Sequence, residues 1–581
     1  MNAAPRFRYR AIWQATIWLL ILVGGVLHAP AFADTGGAPF AKPPGYAVAS
    51  AHPLATQAGL EIMAAGGNAF DAAVAVSAAI AVVEPTGSGI GGGGFWLLHR
   101  EADHFDTMVD GREVAPIAAR ADMYLDAIGT AVDRLSRDGP LSAGIPGEPA
   151  ALAYLAKKYG RLPLTKTLAP AIRYARDGFA LDPKLARAIE QTEKRFSPAA
   201  RAVFLPAGHL PAVGDVIRQP DLATVLQRLA DQGPKGFYTG ETATRLLAGV
   251  RASGGIWTEE DLRRYTVTER APIVTYFRDY KLVTAPPPSA GGIALAEVLQ
   301  QLEGLGWTDT QDANSKHFVI EALRRAYRDR AAYLGDPDFV SIPLTRLASR
   351  SYALALARSI DPVHATPSSS LPQTGAQAVE GGNTSHFSVI DAEGNRVAGT
   401  MSINLSFGSA YMAPGTGVVL NDEMDDFAAS ATASNAYGLI GSIPNLVAPR
   451  KRPLSTMTPT FVEGPNGVLA LGTPGGSRIA TMVLLGVLNF VDGADAATIV
   501  SAPRYHHQYL PDVVQFEPGA FSAEEQARLT AMGHVLQPLD STYGNLEVVL
   551  WNRAANRLEA AADPRGVGSG QVVLTVPARP R

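Results

Sequence analysis

The chain has 581 residues, of which 47% are hydrophobic and 18% charged, with 50 Lys and Arg against 54 Asp and Glu. A chain of this make-up can bury a large core, and its near-neutral balance lacks the basic field that nucleic-acid phosphates attract. It contains no cysteine, which excludes disulfides, a thiolate nucleophile and thiolate metal sites.

The N-terminus reads MNAAPRFRYRAIWQATIWLLILVGGVLHAPAFAD. Arg6, Arg8 and Arg10 precede an apolar stretch, Ile12 to Leu27, and Ala31-Phe32-Ala33 has the small-x-small form of a cleavage site. This pattern predicts a signal peptide over 1–33 and an exported chain, periplasmic or secreted, with no stable membrane span after cleavage. An uncleaved anchor is the alternative, because Ile12–Leu27 approaches spanning length.

Further along, Ala55–Ala65 reads as a helix stopped by Gly66-Gly67, and Asp71–Val83 as a buried helix, apolar on every side, ended by Pro85. Residues 150–360 are mostly helical in pattern; EPAALAYLAKKYG, LARAIEQTEKRF, LATVLQRLADQ and HFVIEALRRAYRDRAAYL are the clearest segments. Residues 364–383 are rich in Pro, Ser, Gly and Gln, the composition of a mobile linker. After it, His386–Ile390 and Arg396–Ile403 predict a hairpin about Ala-Glu-Gly-Asn, with further strands at Gly467–Leu471 and Leu546–Trp551. A helix over Arg478–Phe490 and a capping box at Ser522–Glu525 lie between those strands. The expected class is α+β, with helices before the linker and sheet-forming segments after it.

Gly89-Ile-Gly-Gly-Gly-Gly94 satisfies G-x-G-x-x-G formally. A dinucleotide site needs a strand before the glycines and a helix after them, and here that order is reversed. The expected role is close backbone packing, beside a site or away from one.

GGNTSHFSVIDAEGN, at the end of the linker, carries the chemistry. A Thr hydroxyl is a weak nucleophile until a base takes its proton, and a free α-amine titrating near neutrality is such a base. Cleavage of Asn383–Thr384 would create that amine on Thr384 itself. The hydroxyl would attack the Asn383 carbonyl, move the acyl group from nitrogen to oxygen, and leave an ester for water.

The segment TSHFSVIDAEGNRVAGTMSINLSFG resembles the start of the small subunit of γ-glutamyltransferases. The resemblance continues through GIGGGGF (89–95), GREVAP (111–116), PPPSAGGI (286–293), YLGDPDFV (333–340), NDEMDDF (421–427), KRPLSTMTPT (451–460) and TPGGSRI (473–479), in that family's order. It implies a four-layer αββα sandwich of the N-terminal-nucleophile type. The chain would cut itself into a large subunit, 34–383, and a small one, 384–581, that stay together as a heterodimer.

By position, Thr384 would be the nucleophile and Ser402 its hydroxyl neighbour, with Gly475 and Gly476 forming the oxyanion hole. Arg112, Ser455 and Thr456 would hold a donor's α-carboxylate, and Asn404, Glu423 and Asp426 its α-ammonium. Tyr437 would sit on a lid loop. The resemblance implies γ-glutamyl substrates such as glutathione, with water, amino acids or dipeptides as acceptors, and no cofactor. A β-lactam or glutaryl acylase and an inactive amino-acid-binding homologue are the alternatives. Adjacent His506 and His507 point in different directions on any regular element and have no third ligand in register, so no metal is expected.

Overall fold

Two antiparallel sheets stacked face to face form the centre of the molecule, in a computed structural model that describes residues 42–310, 313–371, 383–428, 430 and 443–575. The strands used below are β1 (Gly45–Ser50), β2 (Gly93–Arg100), β3 (Phe105–Gly111), β4 (Thr268–Arg270), β5 (Ile273–Phe277), β6 (Tyr280–Thr284), β7 (Thr384–Ile390), β8 (Arg396–Ser402), β9 (Thr460–Gly464), β10 (Gly467–Gly472), β11 (Glu547–Asn552), β12 (Arg557–Ala562) and β13 (Ser569–Leu574). The first sheet has the order β13-β1-β7-β8-β2-β3-β4, and the second β12-β11-β10-β9-β6-β5.

Alternation along the strands assigns the faces. In the first sheet, Val48, Trp96, Leu98, Phe387 and Val389 pack with α1 (Pro53–Ala64) and α2 (Ala69–Val83). Phe95, Leu97 and Ala398 point the other way, into a core shared with the second sheet and with α3 (Gly291–Gly304), α4 (Ala313–Tyr333) and α5 (Ile479–Val491). The layers are therefore helix, sheet, sheet, helix, the sandwich expected. Every residue of α2 is buried. Its start is fixed by Asn68, whose side chain accepts from the Phe70 and Asp71 amides while Asp71 accepts from the Asn68 amide.

The expected division into helices before the linker and strands after it is not observed. Both sheets combine strands from the two sides of residue 383, interleaved in the first and adjoining at β9–β6 in the second, and β4, β5 and β6 interrupt the segment read as helical. Of the linker, 372–382 lie outside the described residues. The preceding stretch is held in place: the Thr366 amide donates to Glu321, the Ser368 amide to Asp512, and the Ser368 hydroxyl to the Tyr509 carbonyl.

The glycines at 91–93 pack as expected. An added Cβ would lie 2.0 Å from the Val419 carbonyl oxygen at Gly91 and 2.2 Å from that of Ser402 at Gly92. Gly92 thus lets this turn approach the strand end that carries Ser402.

Candidate active site

Thr384 opens β7 and Ser402 closes β8, and the ladder pairs them directly. Their hydroxyl oxygens are 3.3 Å apart. Ser402 Oγ also accepts from the Asn404 amide at 2.8 Å, and its hydroxyl stands within hydrogen-bonding reach of both Thr384 and Glu423. Asn404 stands in the left-handed region, φ 75°. Its side-chain amide donates to the Asp422 carbonyl, which turns the chain into the NDEMDDF loop. Asn383 is tied to the same turn, its amide donating to the Asn404 carbonyl at 3.2 Å.

His386, two residues beyond Thr384, is fully buried, and burial pushes its pKa down to about 3. Nδ1 faces the Thr400 hydroxyl at 2.8 Å and Nε2 the Ser388 hydroxyl at 3.1 Å. Both nitrogens are engaged, so this neutral ring braces the strand and does not serve Thr384 as a base. Among the described residues, no carboxylate or imidazole is hydrogen-bonded to the Thr384 hydroxyl.

Across the cleft, Arg112 is almost fully buried and surrounded by acceptors. Nη1 donates to Glu423 at 2.5 Å and to Glu113 at 3.4 Å, Nη2 to Asp426 at 2.5 Å, and Nε to the Pro453 carbonyl at 3.3 Å. Three acids compete for one cation, and two of them hold their protons more tightly. Burial pushes Glu423 up to about 7 against the pull of Arg112. Glu113 is raised well above the carboxylate range, by burial first and then by Glu423. Sequence reasoning passed over Glu113, although it stands beside Arg112 in GREVAP.

The remaining motifs hold these groups. Asn421 accepts from the Gly144 and Glu423 amides and donates to the Gly91 and Gly144 carbonyls. Ser455 bonds through its amide to Pro288 O and through its carbonyl to Ala290 N, both at 2.8 Å, so PPPSAGGI anchors the KRPLST loop. Its hydroxyl oxygen accepts from the Met457 amide and keeps its proton to donate. Asp336 of YLGDPDFV accepts from the Arg452 amide.

Gly475 and Gly476 lie just before α5, with φ of 138° and 56°. A Cβ on Gly475 would lie 2.5 Å from Met482 Cε. Amides at a helix start point outward and carry the positive end of the helix dipole, which suits them to a developing anion.

Thr384, Ser402, Asn404, Arg112, Asp426, Ser455, Thr456 and Gly476 line one small cleft with Met457 and Ile479. Glu423 stands behind Arg112, and Tyr437 lies outside the described residues. His506 and His507 are both buried, on Thr481 and Gln508 and on Asp512 and the Tyr509 amide respectively. A different group, His99, Glu101 and His104, brings three possible metal-ligand atoms within 4.8 Å of one another. His99 is already held between Asp106 at 2.7 Å and Glu101 at 3.0 Å, and Arg396 approaches Glu101 at 4.0 Å.

The profile of the γ-glutamyltranspeptidase family matches residues 55–573. The chain belongs to that family. It is 41% identical over 493 residues to a glutathione hydrolase proenzyme of Pseudomonas sp. (strain A14), covering 84% of this chain and 85% of that protein. Two solved structures extend the likeness. The γ-glutamyltranspeptidase of Helicobacter pylori is 40% identical with a TM-score of 0.54, over 56% of this chain and 94% of that one. A cephalosporin acylase from Bacillus halodurans is 27% identical with a TM-score of 0.78, over 94% and 99%. The γ-glutamyltranspeptidase family thus accounts for the order of the motifs that meet at this cleft.

Proposed function

We propose that the chain is a self-processing γ-glutamyltransferase and glutathione hydrolase with Thr384 as its nucleophile. The observation that carries this reading is the isolation of the Thr384 hydroxyl from any side-chain base among the described residues, inside a cleft built for a zwitterion. Cleavage of Asn383–Thr384 would supply the missing base as the α-amine of Thr384, attached to the nucleophile's own Cα.

In the processed heterodimer, Asp426, Glu423 and Asn404 would accept from the donor's α-ammonium. Arg112, Ser455 and Thr456 would donate to its α-carboxylate. Fixing both ends sets the γ-carbonyl against Thr384, which is catalysis by positioning. Thr384 Oγ1 attacks that carbon as its proton passes to the α-amine, and the Gly475 and Gly476 amides take the oxyanion. The amine returns the proton to the departing nitrogen, so glutathione would release Cys-Gly. Water, an amino acid or a dipeptide then attacks the γ-glutamyl ester by the reverse steps.

The N-terminal leader would send the chain out of the cytoplasm. Among the described residues, no helix is long and apolar enough to cross a membrane.

The near full-length likeness to a cephalosporin acylase favours one second reading, an acylase that uses the same nucleophile without an ammonium site. Rates on γ-glutamyl-p-nitroanilide and glutaryl-p-nitroanilide separate the two. Preference for the first is expected; preference for the second would reject the γ-glutamyl reading.

A further inference from the structure

Arg330 interrupts the buried stripe of α4. Val319, Leu323 and Ala326 on that stripe are core residues, and Arg330 is only 5% exposed. Its Nε is buried with no acceptor among the described residues. An arginine does not lose its proton to escape burial, so a charge held this way calls for an anion.

The helix shows where that anion would lie. Tyr327, three residues earlier, donates to the Ser477 carbonyl. Leu334, whose amide still bonds the Arg330 carbonyl at 3.2 Å, clusters with Leu454. Positions 327, 330 and 334 share one helix face. On that face Arg330 therefore lies between the contact with Ser477 and the cluster with Leu454, each next to residues that line the cleft, Gly476 on one side and Ser455 and Thr456 on the other. Burial brings the Arg330 pKa down to about 10, with Tyr327 and Asp426 opposing it, so Asp426 is within electrostatic reach.

We propose that Arg330 is a substrate-binding residue that takes the α-carboxylate of the donor together with Arg112. This rests on the γ-glutamyl reading above. Two features favour this end of the substrate over the leaving peptide. Arg330 shares its helix face with Leu334, which clusters with Leu454 of the Ser455 loop, and is within electrostatic reach of Asp426; Ser455 and Asp426 mark the α end. Most N–H groups of Arg112 are already spent on Glu423, Glu113, Asp426 and Pro453, so Arg112 has little left for a bidentate carboxylate.

The test is steady-state kinetics of wild type, Arg330→Gln and Arg330→Lys on three donors. These are γ-glutamyl-p-nitroanilide, 4-aminobutanoyl-p-nitroanilide, which lacks the α-carboxylate, and glutathione. Arg330→Gln is expected to raise KM for γ-glutamyl-p-nitroanilide about 10- to 100-fold, the scale of a lost charged hydrogen bond. KM for the 4-aminobutanoyl donor should stay at the wild-type value, and Arg330→Lys should fall between. Equal losses on both anilides would overturn the proposal as a structural effect, and so would unchanged kinetics. A loss on glutathione alone would move Arg330 to the leaving peptide and overturn it as well. If Arg330→Gln fails to self-cleave, Arg330→Lys decides by the same comparison of the two anilides. Wild-type enzyme that prefers the glutaryl anilide would instead reject the underlying γ-glutamyl reading.

Discussion

Thr384 and Ser402 occupy one rung of the β7–β8 ladder, with hydroxyl oxygens 3.3 Å apart. The Asn404 amide fixes the Ser402 hydroxyl in place, so that it can hydrogen-bond the Thr384 oxygen during both self-cleavage and turnover. Ser402→Ala should slow both by about 10- to 100-fold, the range for a lost hydrogen bond in a buried site, while Ser402→Thr should retain both. Electrophoresis over time and anilide hydrolysis measure the two rates.

Arg112 holds Glu423 and Asp426 as well as facing the cleft, so replacing it removes more than a substrate contact. Arg112→Gln should raise KM for the γ-glutamyl donor at least 100-fold. It should also lower stability by about 3–5 kcal/mol, the cost of breaking a buried ion pair from one side. Thermal unfolding alongside kinetics checks both effects.

Glu423 titrates near the working range. Below about pH 7 it holds a proton and binds an ammonium as a neutral acceptor; above it, as a carboxylate. KM for a γ-glutamyl donor should therefore fall as pH rises through about 7. Glu423→Gln should flatten that dependence and leave KM near its low-pH value. A pH series of KM on both proteins measures this.

Stability should decline on the alkaline side of pH 6.5. Burial alone pushes Glu148 up to about 8, and both its oxygens lack partners. The native state keeps this proton to about pH 8, whereas an unfolded chain releases it near 4.3. Its contribution is therefore present at low pH and lost as pH rises through the folded value, at about 1.4 kcal/mol per unit between the two. Burial lowers His386, His506 and His534 to about 3, so they act oppositely and only as pH falls below 6.5. Glu148→Gln should raise the melting temperature at pH 8 more than at pH 5, as calorimetry would show.

The site was more legible in the sequence than the sheets that carry it. Thr384, Arg112, Asp426 and Ser455 lie in short contiguous motifs, and the cleft gathers them. Glu113 and Arg330 escaped notice because a charged residue reads as solvent-facing until its neighbours are known; each is buried only through distant segments. The strands β7, β8 and β10 showed in their alternation, whereas Thr268–Arg270 is too short and polar to do so. Strand β1 is completed by pairing such as Gly45 with Leu574, far apart in sequence, and local patterns carry no trace of that.

The cleavage of Asn383–Thr384 is most directly tested by N-terminal sequencing and intact-mass measurement of purified, active protein. A small subunit beginning Thr-Ser-His-Phe and spanning 384–581 is the expected result, with Thr384→Ala remaining uncut and inactive. Full activity from a chain whose Asn383–Thr384 bond is intact would contradict the account.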